Sequence, residues 1–180
     1  MKILENERIK LRAIEPEDLD LLFVWENDTA FWTAGNTRVP YSRFQLKQYV
    51  ANPSYDIYEN GNLRLMIEDK VSGKTVGTVD LFDFDMHHSR IALGLFVTDE
   101  SRGKGFAKQA LLLTEQYIFD FLKINQLYVQ IAESNSASRH LFDNYFELHG
   151  MLKDWVKTEE GFENILTYQR FLSSYSKKNV

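Results

Sequence analysis

The residues whose types and spacing point to chemistry lie at one junction, Phe96-Val97-Thr98-Asp99-Glu100-Ser101-Arg102-Gly103-Lys104-Gly105-Phe106-Ala107. An alternating apolar stretch ends there, two glycines follow, and a helical period begins. Glycines let main-chain N–H groups approach an oxygen closely, a new helix presents unpaired N–H groups at its positive end, and Arg102 and Lys104 add charge. Such a turn suits a phosphate-bearing ligand. It is not a Walker loop, because Lys104 is followed by Gly105 rather than Ser or Thr. Nor is it a dinucleotide fingerprint, which needs a third glycine and an earlier parallel strand-helix-strand unit. Gly103 and Gly105 would also serve a plain strand-to-helix turn.

The elements that must position this junction read clearly. Arg8 to Ala13 alternates as a short strand, and Pro16, Glu17 and Asp18 open a helix carrying Leu19, Leu22, Phe23 and Glu26, with its end near Asn27. Asp28 to Pro40 reads as a loop. Ser42 with Gln45 forms a capping-box pattern before a second short helix that ends before Pro53. From Leu63 to Val97 the period is two, giving three antiparallel strands: Leu63 to Ile67, Thr75 to Phe84 and Ile91 to Val97. Ser72-Gly73 and Met86-His87-His88 make the connections.

After Gly105 the positions Ala107, Ala110, Leu111, Thr114, Tyr117, Ile118, Phe121 and Leu122 predict the clearest helix. Leu127 to Ile131 follows as a strand, Ser136 to Tyr145 as a helix, and Leu148 to Lys157 and Asn164 to Phe171 as strands joined through Glu160-Gly161. The fold class is α/β (α+β): a single mixed, mainly antiparallel sheet with helices packed on both faces. Residues 1–172 are expected to form one domain, with 173–180 a polar, frayed tail.

Composition bounds the function. The chain has 180 residues, 44% hydrophobic and 26% charged, which suits one ordinary globular domain. It has no cysteine, so disulfides, thiolate zinc sites and thiol nucleophiles are excluded. A net charge of -5 with no basic block argues against nucleic acid, and no apolar run is long enough to span a bilayer. The acidic start Met1-Lys2-Ile3-Leu4-Glu5 is unlike a signal peptide, and a cytoplasmic protein is expected. His87 and His88 lack a third ligand at metal spacing, so no metal is expected. Trp25, Trp32 and Trp155 are expected in the core or a pocket wall.

At the glycine junction the chain resembles the GNAT superfamily of N-acetyltransferases, whose loop pattern Arg/Gln-x-x-Gly-x-Gly/Ala is met by Arg102, Gly105 and Ala107. The similarity runs the length of the chain. Leu11-Arg12 with Pro16-Glu17-Asp18-Leu19, then Asn135 with Ser138 and Leu141, then Gly150-Met151-Leu152-Lys153 with Gly161-Phe162 resemble the bacterial spermidine and ribosomal-protein acetyltransferase branch. The resemblance implies that the acetyl-CoA pyrophosphate sits on the main chain from Arg102 through Gly103, Lys104, Gly105 and Phe106 to Ala107. It implies that pantetheine pairs like a strand with Leu95, Phe96 and Val97, and that Asn135 contacts the cofactor arm. Asn135 can also be a helix N-cap, and can be both.

Two departures bear on mechanism. Relatives place a Glu as general base where this chain has Ala92, and a Tyr as general acid where it has Phe142; Phe146-Glu147 replaces a Gly-Phe pair. A primary alkylamine of pKa ~10 is only about 0.1% neutral at pH 7, so its proton must have a route away. Candidates are Asp80, Asp83, Glu133 and Glu26 for the base and Tyr145 for the acid, although each carboxylate reads first as a solvated surface charge and Tyr145 as a core or rim tyrosine. The leading acceptor is a small polyamine, because Glu26, Asp28, Asp80, Asp83 and Glu133 are expected to line an acidic groove. The alternatives are a protein N-terminus and a non-catalytic acyl-CoA-binding module, and a homo-oligomer is possible.

Overall fold

The computed structural model describes residues 3–29, 32, 37–51 and 56–174. Its centre is a seven-stranded sheet in the order β1-β2-β3-β4-β5-β7-β6. The strands are β1 (Ile9–Arg12), β2 (Leu63–Asp69), β3 (Thr75–Asp85), β4 (Arg90–Val97), β5 (Gln126–Ala132), β6 (Glu147–Thr158) and β7 (Gly161–Phe171). The helices are α1 (Leu19–Glu26), α2 (Arg43–Ala51), α3 (Ile57–Asn60), α4 (Phe106–Glu115) and α5 (Ser136–Phe142). Every pairing is antiparallel except β4 with β5.

Strand alternation sorts the side chains onto two faces. Leu65 and Ile67, Val79 and Leu81, and Ile91 and Leu93 point one way and pack with Ala110, Leu111 and Leu113 of α4 in the main core. Met66 points the other way and joins Ile14, Leu22 and Val50 in a smaller core beneath α1 and α2. Helices therefore cover both faces, as the pattern predicts. Among the described residues no helix is long and apolar enough to cross a membrane.

The entry to α1 shows why the opening motif has its residue types. Arg12 donates from Nη1 and Nη2 to Asp18 at 2.7 and 2.8 Å and from Nε to Glu68 at 2.7 Å, while Asp18 also accepts the Glu15 N–H. Burial alone would raise the Asp18 carboxyl; these donors outweigh it and hold it below the usual range. At α2, Ser42 N–H donates to Gln45 Oε1 at 2.9 Å and Gln45 N–H to Ser42 Oγ at 3.2 Å, the reciprocal box expected from sequence.

Three expectations need correction. The short α3 is unannounced, because four residues carry no period; Asp56 caps it by accepting the Tyr58 N–H. The long helix does not stay α-helical to Leu122: Gln116–Phe121 form a π turn, with Leu122 N–H donating to Tyr117 O. The extra residue per turn shifts the face by one position, so Phe119 is buried and Phe121 is 60% exposed. Trp155 stands 62% exposed on β6, neither core nor pocket wall. Of the expected loop and tail, residues 30, 31, 33–36 and 175–180 lie outside the described residues, as does Pro53.

Candidate active site

The β4–β5 pairing is where the sheet opens. It comprises Arg90 with Gln126, Ile91 with Leu127 and Ala92 with Tyr128, after which the two strands diverge. Parallel strands that part in this way leave main chain facing a gap rather than a neighbour. A cavity of about 1510 Å³ fills the gap and reaches both faces of the sheet. That exceeds the ~300 to 1,000 Å³ of ordinary small-molecule pockets and suits a long ligand plus a second one.

One end of the cavity is the glycine junction. After a 3-10 turn at Asp99–Ser101, Gly103 and Gly105 take φ of +72° and +83°, and Gly105 is the N-cap of α4. A Cβ built on either glycine would meet nothing within 4 Å. The open space above these main-chain positions, together with the unpaired first N–H groups of a ten-residue helix, forms an anion cradle. Arg102 lines it and pairs with Asp99 at 2.8 Å. Lys104, between the two left-handed glycines, is exposed and is not among the residues that line the cavity.

The middle of the cavity is walled by Leu95, Phe96 and Val97 of β4 and by the start of α5. Asn135 caps α5, its Oδ1 accepting the Ser138 N–H at 3.1 Å, and it also lines the cavity. Phe142 and Tyr145 both face the space. Phe142 is 4% exposed and meets Phe146 edge-on at 5.1 Å, whereas Tyr145 is half-buried at the rim.

The far end lies on the α1 side of the sheet. Register places Arg64, Asp80 and Gly94 side by side across β2, β3 and β4, with Met66, Thr78 and Phe96 as the next row. Trp25 lies over Phe96 with ring centroids 5.2 Å apart, and Trp32 Nε1 donates to the Glu26 carbonyl at 3.0 Å. Arg64 was not singled out from sequence, yet it organises this end: Nε donates to Asp80 and Nη1 to Glu26, with the Tyr49 ring 5.9 Å away. Burial works against its charge, and the two carboxylates outweigh that and raise it above the ordinary arginine value. Asp80 also accepts the Thr78 hydroxyl at 3.1 Å.

The expected acidic groove is therefore reduced to two carboxylates, Glu26 and Asp80, both tied to one guanidinium. Asp83 falls in the bulge between Phe82 and Asp85, at φ +49°, exposed and away from the cavity. Glu133 is turned outward to accept Asn164 Nδ2 at 2.9 Å, and Asp28 is exposed beyond the lining. Ala92 is buried between Phe82 and Tyr128. His88 holds Asp85 at 2.8 Å on an exposed turn, and among the described residues no three ligand-type side chains cluster.

The fold and the parted strands leave a long cavity with open main chain at one end, and comparison with known proteins gives the family. Residues 8–145 match the acetyltransferase (GNAT) domain, and the chain belongs to that family. It is 25% identical over 162 residues to the spermidine N(1)-acetyltransferase of Vibrio cholerae, covering 88% of this chain and 87% of that one. It is 27% identical over 139 residues to the Escherichia coli enzyme of the same name, covering 74% and 69%. The crystal structure of the Vibrio cholerae spermidine N-acetyltransferase in complex with CoA and spermine superposes with a TM-score of 0.83 at 24% identity, over 94% of this chain and 99% of that one. Acetyl transfer from acetyl-CoA to an amine is thus the activity of this chain.

Proposed function

We propose that the acceptor is a small polyamine and that its primary amino group is acetylated at the gap between β4 and β5. The carrying observation is the net negative charge that Asp80 of β3, beside Gly94, and Glu26, at the end of α1, keep around Arg64 in the cavity, a charge that suits a protonated amine. Relatives named as spermidine acetyltransferases point the same way. The thioester of acetyl-CoA supplies the acetyl group and a thiolate leaving group of reference pKa around ~8.5.

The chain's own residues do the rest. Main-chain N–H groups at Gly103, Gly105 and the first turn of α4 hold the pyrophosphate; Leu95, Phe96 and Val97 pair with the pantetheine arm; Asn135 steadies it from the α5 cap. Asp80 takes the acceptor's proton, a task for which Ala92 offers no group. Tyr145 at the rim hands a proton to the departing sulfur in place of Phe142 and regains one from the nitrogen, which sheds its second proton as the amide forms. Trp25 over Phe96 excludes water from the reacting end.

Thiol release from acetyl-CoA against a panel of amines and peptides tests this reading. Turnover with spermidine but not with peptide N-termini is expected. Turnover with peptides alone would assign a protein N-terminal acetyltransferase, and binding of acetyl-CoA with no release for any acceptor would leave a binding module.

A further inference from the structure

The acceptor end is short of charge in a definite way. Glu26 and Asp80 share Arg64, so the cluster carries one net negative charge rather than two. The only other carboxylate among the described lining residues, Asp99, is matched to Arg102 at 2.8 Å. Among the described lining residues a polyamine entering this end therefore finds a partner for one ammonium group and none for the next.

We infer that Arg64 is the specificity-determining residue of the acceptor end: by engaging Glu26 and Asp80 at once it limits the site to a single protonated amino group and makes the enzyme indifferent to how many more the acceptor carries. The inference rests on amine acetylation at this cavity. Arg64 suits the task because a planar guanidinium donates in a fork, Nε to one carboxylate and Nη1 to the other, whereas a lysine offers one point charge. The cluster is half-buried, with side-chain exposures of 21 to 27%, so its charges are screened less than surface pairs. When the reacting ammonium docks, the cluster is neutral. After its proton moves to Asp80, the remaining Glu26–Arg64 pair is neutral again, so neither state leaves an uncompensated charge at the thioester.

The test is steady-state kinetics of the full chain with a diamine, spermidine and spermine, comparing wild type with Arg64→Gln. In the wild type, kcat/KM for the three acceptors should agree within about threefold. Arg64→Gln frees a second carboxylate and should raise the spermine-to-diamine ratio about tenfold, through KM rather than kcat, with a steeper fall in high salt. Adding Glu26→Gln to Arg64→Gln restores one net charge and should restore the flat profile, a rescue that a merely structural role does not give. Glu26→Gln alone neutralises the cluster and should raise KM about tenfold for every amine while leaving KM for acetyl-CoA unchanged; it remains informative if Arg64→Gln does not fold. A wild-type enzyme that already prefers spermine by tenfold or more, a uniform loss over all acceptors in Arg64→Gln, or an unchanged KM in Glu26→Gln would overturn the inference. Absence of any amine acetylation by the wild type would instead overturn the proposed function.

Discussion

Gly77 on β3 lies so close to Phe96 on β4 that a methyl group built on it would stand 2.0 Å from the Phe96 carbonyl oxygen and 3.0 Å from the carbonyl carbon. No side chain can yield, because the obstacle is main chain. Gly77→Ala must push aside the strand that walls the cofactor arm. It is expected to cost more than about 2 kcal/mol, at the upper end for overpacking, and to weaken acetyl-CoA binding at least tenfold. Thermal unfolding and calorimetric titration of the variant check both.

Gly105→Glu separates binding from folding. The space around Gly105 is open, so the added side chain clashes with nothing in the free protein, but φ of +83° makes any L-residue strained there. A stability loss of about 1 to 2 kcal/mol is expected from the backbone alone. Acetyl-CoA binding should be lost altogether, because a carboxylate then occupies the cradle. Unaltered binding by calorimetry would remove the anion-site assignment.

Much of this was readable in the residues, and the failures have identifiable causes. The glycine junction, the capping box at Ser42 and Gln45, and the two-period strands are local signals, and they appear where the sequence put them. Arg64 is not legible in the sequence because its meaning is non-local: it sits between Leu63 and Leu65 as an ordinary polar alternation, and only the register with Asp80 and the end of α1 brings three charges together. The same cause inflated the acidic groove, since neither the β3 bulge that turns Asp83 out nor the Glu133–Asn164 bond can be seen one segment at a time. The exposure of Phe121 is not legible in the helical period, because the π turn at Gln116–Phe121 breaks that period.

Stability should fall as pH rises through neutrality, owing to a group far from the acceptor. Glu115 is 0% exposed, its Oε1 lies 3.2 Å from Arg170 Nε, and neither of its oxygens has a hydrogen-bond partner among the described residues. Burial pushes its carboxyl up to about 7 against the pull of Arg170. The folded value exceeds the unfolded one, so this contribution is complete below about pH 4.3 and is lost as pH climbs through 7, by up to about 3 kcal/mol. Asp18, held low, works in the opposite sense and loses its contribution only in acid. Denaturant midpoints between pH 5 and 8 should decline in the wild type and flatten in Glu115→Gln; a flat wild-type profile contradicts the assignment.

Phe142 and Tyr145 divide the question of the proton donor. Phe142→Tyr adds a hydroxyl on a ring packed edge-on against Phe146 and facing the cavity. Turnover should rise several-fold, most below pH 8, where protonating the leaving thiolate helps most, at a stability cost of about 1 to 3 kcal/mol if the hydroxyl stays unpaired. Tyr145→Phe should lower turnover by about 100-fold. No gain in the first and no loss in the second across the pH range would show that neither side chain handles the proton.

The most direct measurement couples product to co-product. The purified chain is incubated with acetyl-CoA and spermidine, free thiol is titrated, and the acetylated amine is quantified by mass spectrometry. One thiol released for each N-acetyl group formed, with both dependent on enzyme and on Asp80, is the predicted result. Thiol release without acetylated amine, or neither while acetyl-CoA still binds, would contradict amine acetylation at the gap between β4 and β5.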